Sequence, residues 1–241
     1  MDDTWKLQAV FPGVRFVRWP VSRGYLEARN FMMSESSEKY FVSLDDDAWF
    51  LAGDEIQVAV DHLDANPGVA AVAFDILSPE RPHPRSRTRP LETHMFIGCG
   101  HVLRLGAAKA AGLYAANPGF YGGEEKDLCI RLLDLGWEIH LLPGVHVWHE
   151  KTMMARDLEA QHRSGVCNDL AFALRRCPMP ALFWVFPMKA MSHLRFAVSN
   201  QRLLPCVRGV ADCVSSITRI WKGRRPVRAA TFSRFVQRSR A

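Results

Sequence analysis

Three consecutive aspartates, Asp45, Asp46 and Asp47, follow the β-forming run 39–44 (KYFVSL). Carboxylates this close repel one another unless something positive lies among them. A hard divalent cation, Mg2+ or Mn2+, meets that need because it takes carboxylate and phosphate oxygens together. If extended geometry continues past Leu44, Asp45 and Asp47 point the same way and reach one ion. The competing reading is a solvated acidic turn that caps the next helix. A second acidic group, Glu124 and Glu125, follows Gly122-Gly123 and opens a helical segment, where the macrodipole favours charged carboxylates. A general base must be a positioned carboxylate or imidazole beside the hydroxyl it deprotonates, though simple helix capping uses the same residues. His149 lies between Trp148 and Glu150 at the end of an apolar stretch, as a ligand or as an ordinary rim histidine. Arg131 stands four residues after Asp127, the spacing of an intrahelical ion pair.

These groups need elements to hold them. Residues 14–18 (VRFVR) alternate as a strand does, and 23–34 read as a helix with Ser22 as its N-cap. Residues 39–44 form a strand that ends in acid. Residues 53–65 have helical spacing, and 69–74 (VAAVAF) are a strand covered on both faces. The alternation predicts an α/β domain with a largely parallel sheet, where ligands bind at the carboxyl ends of strands. Residues 78–90, rich in Pro and Arg, read as a mobile loop. A strand over 91–99 should end at Gly98-Cys99-Gly100, followed by a short helix over 105–111. Helix 124–135 directs Leu128, Leu132 and Leu135 to one side. Two short strands, 137–142 and 145–148, flank Pro143-Gly144. Beyond Lys151 the pattern becomes long basic helices, interrupted at Pro178, Pro180, Pro187 and Pro205. A catalytic domain over residues 1–151 and a basic amphipathic helical region over 152–241 are expected.

The charge divides in the same place. Residues 1–150 carry 14 Lys and Arg against 21 Asp and Glu, whereas 151–241 carry 17 against 4. The acidic part suits divalent cations, and the basic part suits a phosphate-rich surface. The six cysteines show no CxxC pair or zinc-ligand spacing, so reduced thiols in a cytoplasmic setting are expected. No signal-peptide pattern opens the chain. The most apolar stretch, 180–198, is broken by Lys189, His193 and Arg195, which argues against a spanning helix and leaves an interfacial one.

Order and spacing make these separate signals specific. Arg23-Gly24-Tyr25-Leu26-Glu27-Ala28-Arg29-Asn30, then Ser43-Leu44-Asp45-Asp46-Asp47, Phe96-Ile97-Gly98-Cys99-Gly100, Gly122-Gly123-Glu124-Glu125-Lys126-Asp127-Leu128 and Val147-Trp148-His149-Glu150 follow one another. Residues 14–150 closely resemble the family 2 glycosyltransferases, which have the GT-A fold. The resemblance implies a sugar moved with inversion from a nucleotide-diphospho-sugar to an acceptor hydroxyl, with Mg2+ or Mn2+ as cofactor. It implies Asp47 as the direct metal ligand, Asp45 near the nucleotide or on the metal, Asp46 on the substrate side, and His149 completing the metal site. Glu125 falls at the place of the catalytic base, where the family more often has Asp, and Glu124 is its alternative. Arg29 and Asn30 fall where relatives approach the nucleotide, and Arg131 orients the corner of the substrate site. The family's usual opening strand, helix and strand, ending in an Asp-Gly-Ser-like turn, has no counterpart here. An N-terminally truncated GT-A-like fold is therefore expected, short of roughly 40–60 residues.

The C-terminal region interleaves its charge with Phe183, Trp184, Phe186, Phe196 and Trp221. That mixture fits a helix at an anionic membrane surface, or a basic cap packed on the catalytic domain. The partners expected are a nucleotide-diphospho-sugar donor and a glycan or lipid-linked acceptor, in cell-surface polysaccharide or glycolipid synthesis. Peripheral attachment to the inner face of the cell membrane follows. No nucleic-acid module is present. A metal-dependent hydrolase and a catalytically inactive, membrane-associated remnant are the rival readings.

Overall fold

A computed structural model describes residues 4–84, 88–151 and 157–239. The chain divides into two compact units, Met1–Ser36 and Ser37–Ala241.

The first unit holds a 3-10 helix, Thr4–Ala9, and helix α1, Tyr25–Glu35. The strand expected at 14–18 does not form: Val14 and Val17 are exposed, and the segment joins no sheet. Alternation alone does not make a strand without a ladder partner for its backbone groups. Helix α1 starts at Gly24 rather than on a side-chain cap. Arg23 stacks on Trp19 at 4.9 Å and pairs with Glu27 at 3.2 Å.

The second unit is built on six strands: β1 Tyr40–Leu44, β2 Ala48–Phe50, β3 Val69–Leu77, β4 Leu91–Thr93, β5 Gly100–Arg104 and β6 Glu138–His149. Their order is β1-β5-β3-β6-β2, with β4 also on β6. The sheet is not largely parallel. Only β3 and β6 pair in parallel; β5 runs antiparallel to both β1 and β3. Parallel neighbours require a crossover, usually helical, and no helix separates β3 from β5 among the described residues. Residues 91–99 correspondingly form only the short β4 and a loop, and a strand begins rather than ends at Gly100. The two strands expected around Pro143-Gly144 are one. Opposite β3, the register jumps from Ala73↔Leu141 to Asp75↔His146, and the bulge absorbs a proline that has no N–H for the ladder.

Every residue of β3 is buried. Against one face lies helix α2, Glu55–Ala65, whose Ala59 and Leu63 join Val72, Phe74, Val102 and Val147 in the core. Arg104 ties the end of α2 to β3 by donating to the carbonyls of Leu63 (2.6 Å) and Val69 (3.1 Å). Helix α3, Leu105–Ala110, and helix α4, Glu124–Asp134, follow. In α4, Leu128, Ile130 and Leu132 are buried, but Leu135 is 56% exposed, because the helix ends before it. Of the 78–90 loop, the described residues hold a bridge between Ser78 and Arg81, and 85–87 lie outside them.

The basic region is helical: α5 Leu158–Arg176, α6 Met179–Ser199, α7 Leu203–Ser215, α8 Ile217–Lys222 and α9 Ala229–Arg238. Asp157 caps α5 through the N–H groups of Glu159 and Ala160. Pro178, Pro180 and Pro205 fall at helix starts, as expected of breaks, and Pro187 does not. Pro178 and Pro180 start α6, where a missing N–H costs nothing, and Pro187 sits inside it. This helical part lies in the same compact unit as the sheet.

Candidate active site

Only Asp45–Asp47 separate β1 from β2, yet these strands stand at opposite ends of the sheet order. Four chain steps span at most ~14 Å, whereas four flat strand spacings need ~19 Å. The sheet must therefore curl at this end, and the three aspartates bridge the carboxyl ends of β3 and β6. Strand geometry does not continue through them. A turn starts after Leu44, with the Ala48 N–H donating to the Asp45 carbonyl at 3.2 Å.

That turn turns two aspartates toward one histidine. Asp45, Cys99 and His149 bring ligand atoms within 4.8 Å of one another, and the Asp47 carboxylate lies 3.1 Å from His149 Nε2. The arrangement is fastened at several points. The Ser43 hydroxyl donates to the Gly98 carbonyl at 3.0 Å, next to Cys99. The Glu150 N–H donates to the Asp47 carbonyl at 2.9 Å, one step beyond the β2–β6 ladder. After β2, Glu55 accepts the N–H groups of Leu51, Ala52 and Gly53. Burial pushes its pKa up, but these backbone donors outweigh burial and leave it lowered. Asp46 is exposed, facing out of the cluster.

Cys99 has no role assigned from sequence, although it lies inside a quoted motif. Burial, together with the charges of Asp45, Asp47 and Glu125, pushes its thiol up to about 12. The Glu125 charge therefore reaches the Cys99 thiol. Glu125 is half-buried in the first turn of α4, and Glu124 beside it is 4% exposed. Gly122 and Gly123 precede them with φ of +87° and +90°, a backbone region that side chains disfavour.

The loop before these glutamates is held by α5, which nothing in the sequence indicates. Asn168, 2% exposed, accepts the Gly119 N–H at 2.7 Å and donates to the carbonyls of Tyr121 (3.0 Å) and Gly122 (2.8 Å). A Cβ on Gly119 would meet Asn168 Oδ1 and the Ser164 backbone at 2.9 Å. Arg175 donates to the Ala116 carbonyl at 2.8 Å. One turn into α4, Asp127 is ion-paired at 2.9 Å with Arg131 and at 2.6 Å with Arg176. Arg131 also donates to the carbonyls of Ala111 and Leu113, so its guanidinium braces this corner from inside. Arg29 and Asn30 belong to the other compact unit, on α1, where Arg29 lies over the Tyr25 ring at 5.4 Å.

The donor set fits a divalent cation that accepts both oxygen and imidazole. Two carboxylates and a histidine suit Mn2+, while the buried thiol is too soft for a hard ion. In chemical terms the corner offers a cation site.

Comparison with known proteins bears on the fold. The mannosyltransferase PcManGT from Pyrobaculum calidifontis, solved with GDP-Man and Mn2+, is similar at a TM-score of 0.52 and 14% identity, over 98% of this chain and 70% of that one. TarS 1-349 from S. aureus, in complex with UDP-GlcNAc, is similar at 0.57 and 11% identity, over 92% and 72%. GalNAc-T7 with UDP, GalNAc and Mn2+ gives 0.56 and 11%, over 79% of this chain and 44% of that chain. At such identities the likeness carries the GT-A fold. No curated protein matches by sequence. Residues 1–115 match the family described as Glycosyl transferase family 2, a span that includes the aspartates and Cys99 and stops before Glu125 and His149. By that match over residues 1–115 and by its GT-A fold, the chain is similar to the family 2 glycosyltransferases.

Proposed function

We propose that this protein transfers a sugar, with inversion, from a nucleotide-diphospho-sugar to an acceptor hydroxyl in a metal-dependent reaction. The observation that carries the reading is the meeting of Asp45 and Asp47 at His149. A divalent ion held by Asp47, Asp45 and His149 would neutralise the charge that builds on a departing diphosphate. Asp46, exposed next to them, stands on the donor side, and the family resemblance assigns Arg29 and Asn30 to the nucleotide. Glu125 takes the acceptor proton as that oxygen attacks the anomeric carbon from the face opposite the leaving group. Glu124, at 4% exposed, supports the turn rather than reaching the acceptor. Solved relatives that carry GDP-Man and UDP-GlcNAc support a nucleotide-sugar donor.

The acceptor belongs to cell-surface polysaccharide or glycolipid synthesis, and the protein works from the cytoplasmic side, peripheral to the membrane. No helix of the described residues is long and apolar enough to cross a membrane. Support for surface attachment comes from α6 and α7. Phe183, Trp184, Met191, Leu194, Leu203 and Val207 are all at least 41% exposed, with Arg195 and Arg208 exposed among them. Apolar and cationic groups on one helical surface favour an anionic bilayer interface.

The test is binding of a panel of nucleotide-diphospho-sugars with Mn2+ or with a chelator. We expect one donor to bind only with the metal, and Asp47→Ala to weaken it at least tenfold. Donor binding unaffected by both chelator and Asp47→Ala would overturn the assignment.

A further inference from the structure

Helices α6 and α9 leave a groove between them that the transferase site does not use. It is about 250 Å3 in volume, with Val185 and Met188 on one wall, Phe232 and Val236 on the other. Its floor is different in kind. Lys126 from α4 and Lys189 from α6 both reach Asp169 on α5, each at 2.7 Å, and His193 approaches the same carboxylate at 3.2 Å. Lys126 also lies 4.5 Å from the Phe172 ring centre. Two ammonium groups thus share one carboxylate at the bottom of an apolar groove. Burial, and then the neighbouring Lys126 charge, lowers the Lys189 pKa.

The groove continues in both directions. Val185, Phe232 and Val236 also line a second cavity of about 410 Å3 that opens toward Pro178. Lys126 and Phe172 also line a third, of about 280 Å3, bounded by Tyr121, Gly122 and Gly123. One end therefore lies beside the glycines that precede Glu125; the other is apolar.

We propose that this groove seats a long-chain phosphate, its anionic head on Lys126 and Lys189 and its hydrocarbon chain along Val185, Phe232 and Val236. Charge complementarity selects the head, since an anion completes the charge that a single carboxylate leaves in excess. The apolar walls select the tail, because the hydrocarbon surface buried against them leaves water. Resting on the transferase reading, the occupant is the lipid-linked acceptor, and its hydroxyl-bearing part extends past Gly122-Gly123 to Glu125.

The test is calorimetric titration of the full chain with dodecyl phosphate below its micellar concentration, beside inorganic phosphate and dodecyl maltoside. We expect dodecyl phosphate to bind at least tenfold more tightly than either control. Val236→Trp, which fills the groove from an outer helix, should abolish that preference, and Lys189→Met should reduce it about tenfold with the far-ultraviolet circular dichroism unchanged. Equal affinity for the neutral amphiphile, or for phosphate alone, would overturn the proposal, as would unaltered binding in folded Val236→Trp. Asp47→Ala separates the two readings, because it should impair donor binding and leave dodecyl phosphate binding intact. Loss of groove binding in Val236→Trp with donor binding retained supports the groove whatever the Asp47 variant shows.

Discussion

Asp127→Asn removes one negative charge while keeping nearly the same shape, and it isolates what braces the glutamate turn. The Asp127 carboxylate is 3% exposed and serves two guanidinium groups, Arg131 at 12% and Arg176 at 8% side-chain exposure. Breaking a buried ion pair costs about 3–5 kcal/mol, because a charge is left without a counterion. Two features here reduce that figure. Asparagine still accepts one hydrogen bond, and each arginine keeps carbonyl partners: Ala111 and Leu113 for Arg131, Arg225 for Arg176. The expected loss is therefore near the lower limit, about 3 kcal/mol. At roughly 2–4 °C per kcal/mol for a chain of this size, the melting temperature should fall by about 6–12 °C. Urea unfolding followed by tryptophan fluorescence reads the free energy, and an unchanged m-value shows that the unfolded state is the same. A loss below about 1 kcal/mol would refute the idea that this carboxylate balances both arginines. A double-mutant cycle with Arg176→Met should then show a coupling of about 1 kcal/mol or more.

Asn168→Ala removes the hydrogen bonds to the Gly119 N–H and to the carbonyls of Gly119, Tyr121 and Gly122, the last of which keeps Asn117 as a donor, a loss of about 2–4 kcal/mol. Because the loop leads into Glu125, turnover of the bound donor should fall more than donor affinity does; equal losses would count against positioning. Stability should also depend on pH through three histidines. Burial lowers His62, with the neighbouring His140 charge as a second cause, and burial likewise lowers His94 and His162 from the ordinary 6.5. Depressed folded values mean the unfolded chain takes up protons first. This stability is thus present above about pH 6.5 and is lost as the pH falls through the folded values. Melting temperatures measured from about pH 8 to pH 5 should show the decline, and His62→Gln should make it shallower. A slope unchanged in that variant would remove His62 from the account.

Local chemistry made much of the candidate site legible. Residues 39–44 are β-formers that run into acid, and the aspartates do lie at a strand end. Gly122-Gly123 signals a turn with positive φ, and α4 begins where that turn finishes. The resemblance to the family 2 glycosyltransferases, and with it the GT-A fold, follows from motifs whose order along the chain survives any detail of packing. Strand direction was not legible in the same way. Residues 100–104 pair equally well in either sense as an isolated string, and only the helix-free connection before them sets β5 antiparallel. The run 14–18 shows the converse: its alternation satisfies a strand pattern, but no ladder takes it up.

By itself the sequence determined which residue types stand at which turns, because a carboxylate, an imidazole or a glycine is a local property of the chain. Tertiary structure alone decided which of them meet. Asp47 and His149 are far apart in the chain and 3.1 Å apart in space, because the sheet curls until its two edges share one short turn. Arg131 pairs with Asp127 as its i,i+4 spacing suggests, and only the fold brings Arg176 to the same carboxylate. Asn168 carries no motif at all; its carboxamide matters only because α5 crosses the loop that leads to Glu125, a contact set by packing and invisible in spacing.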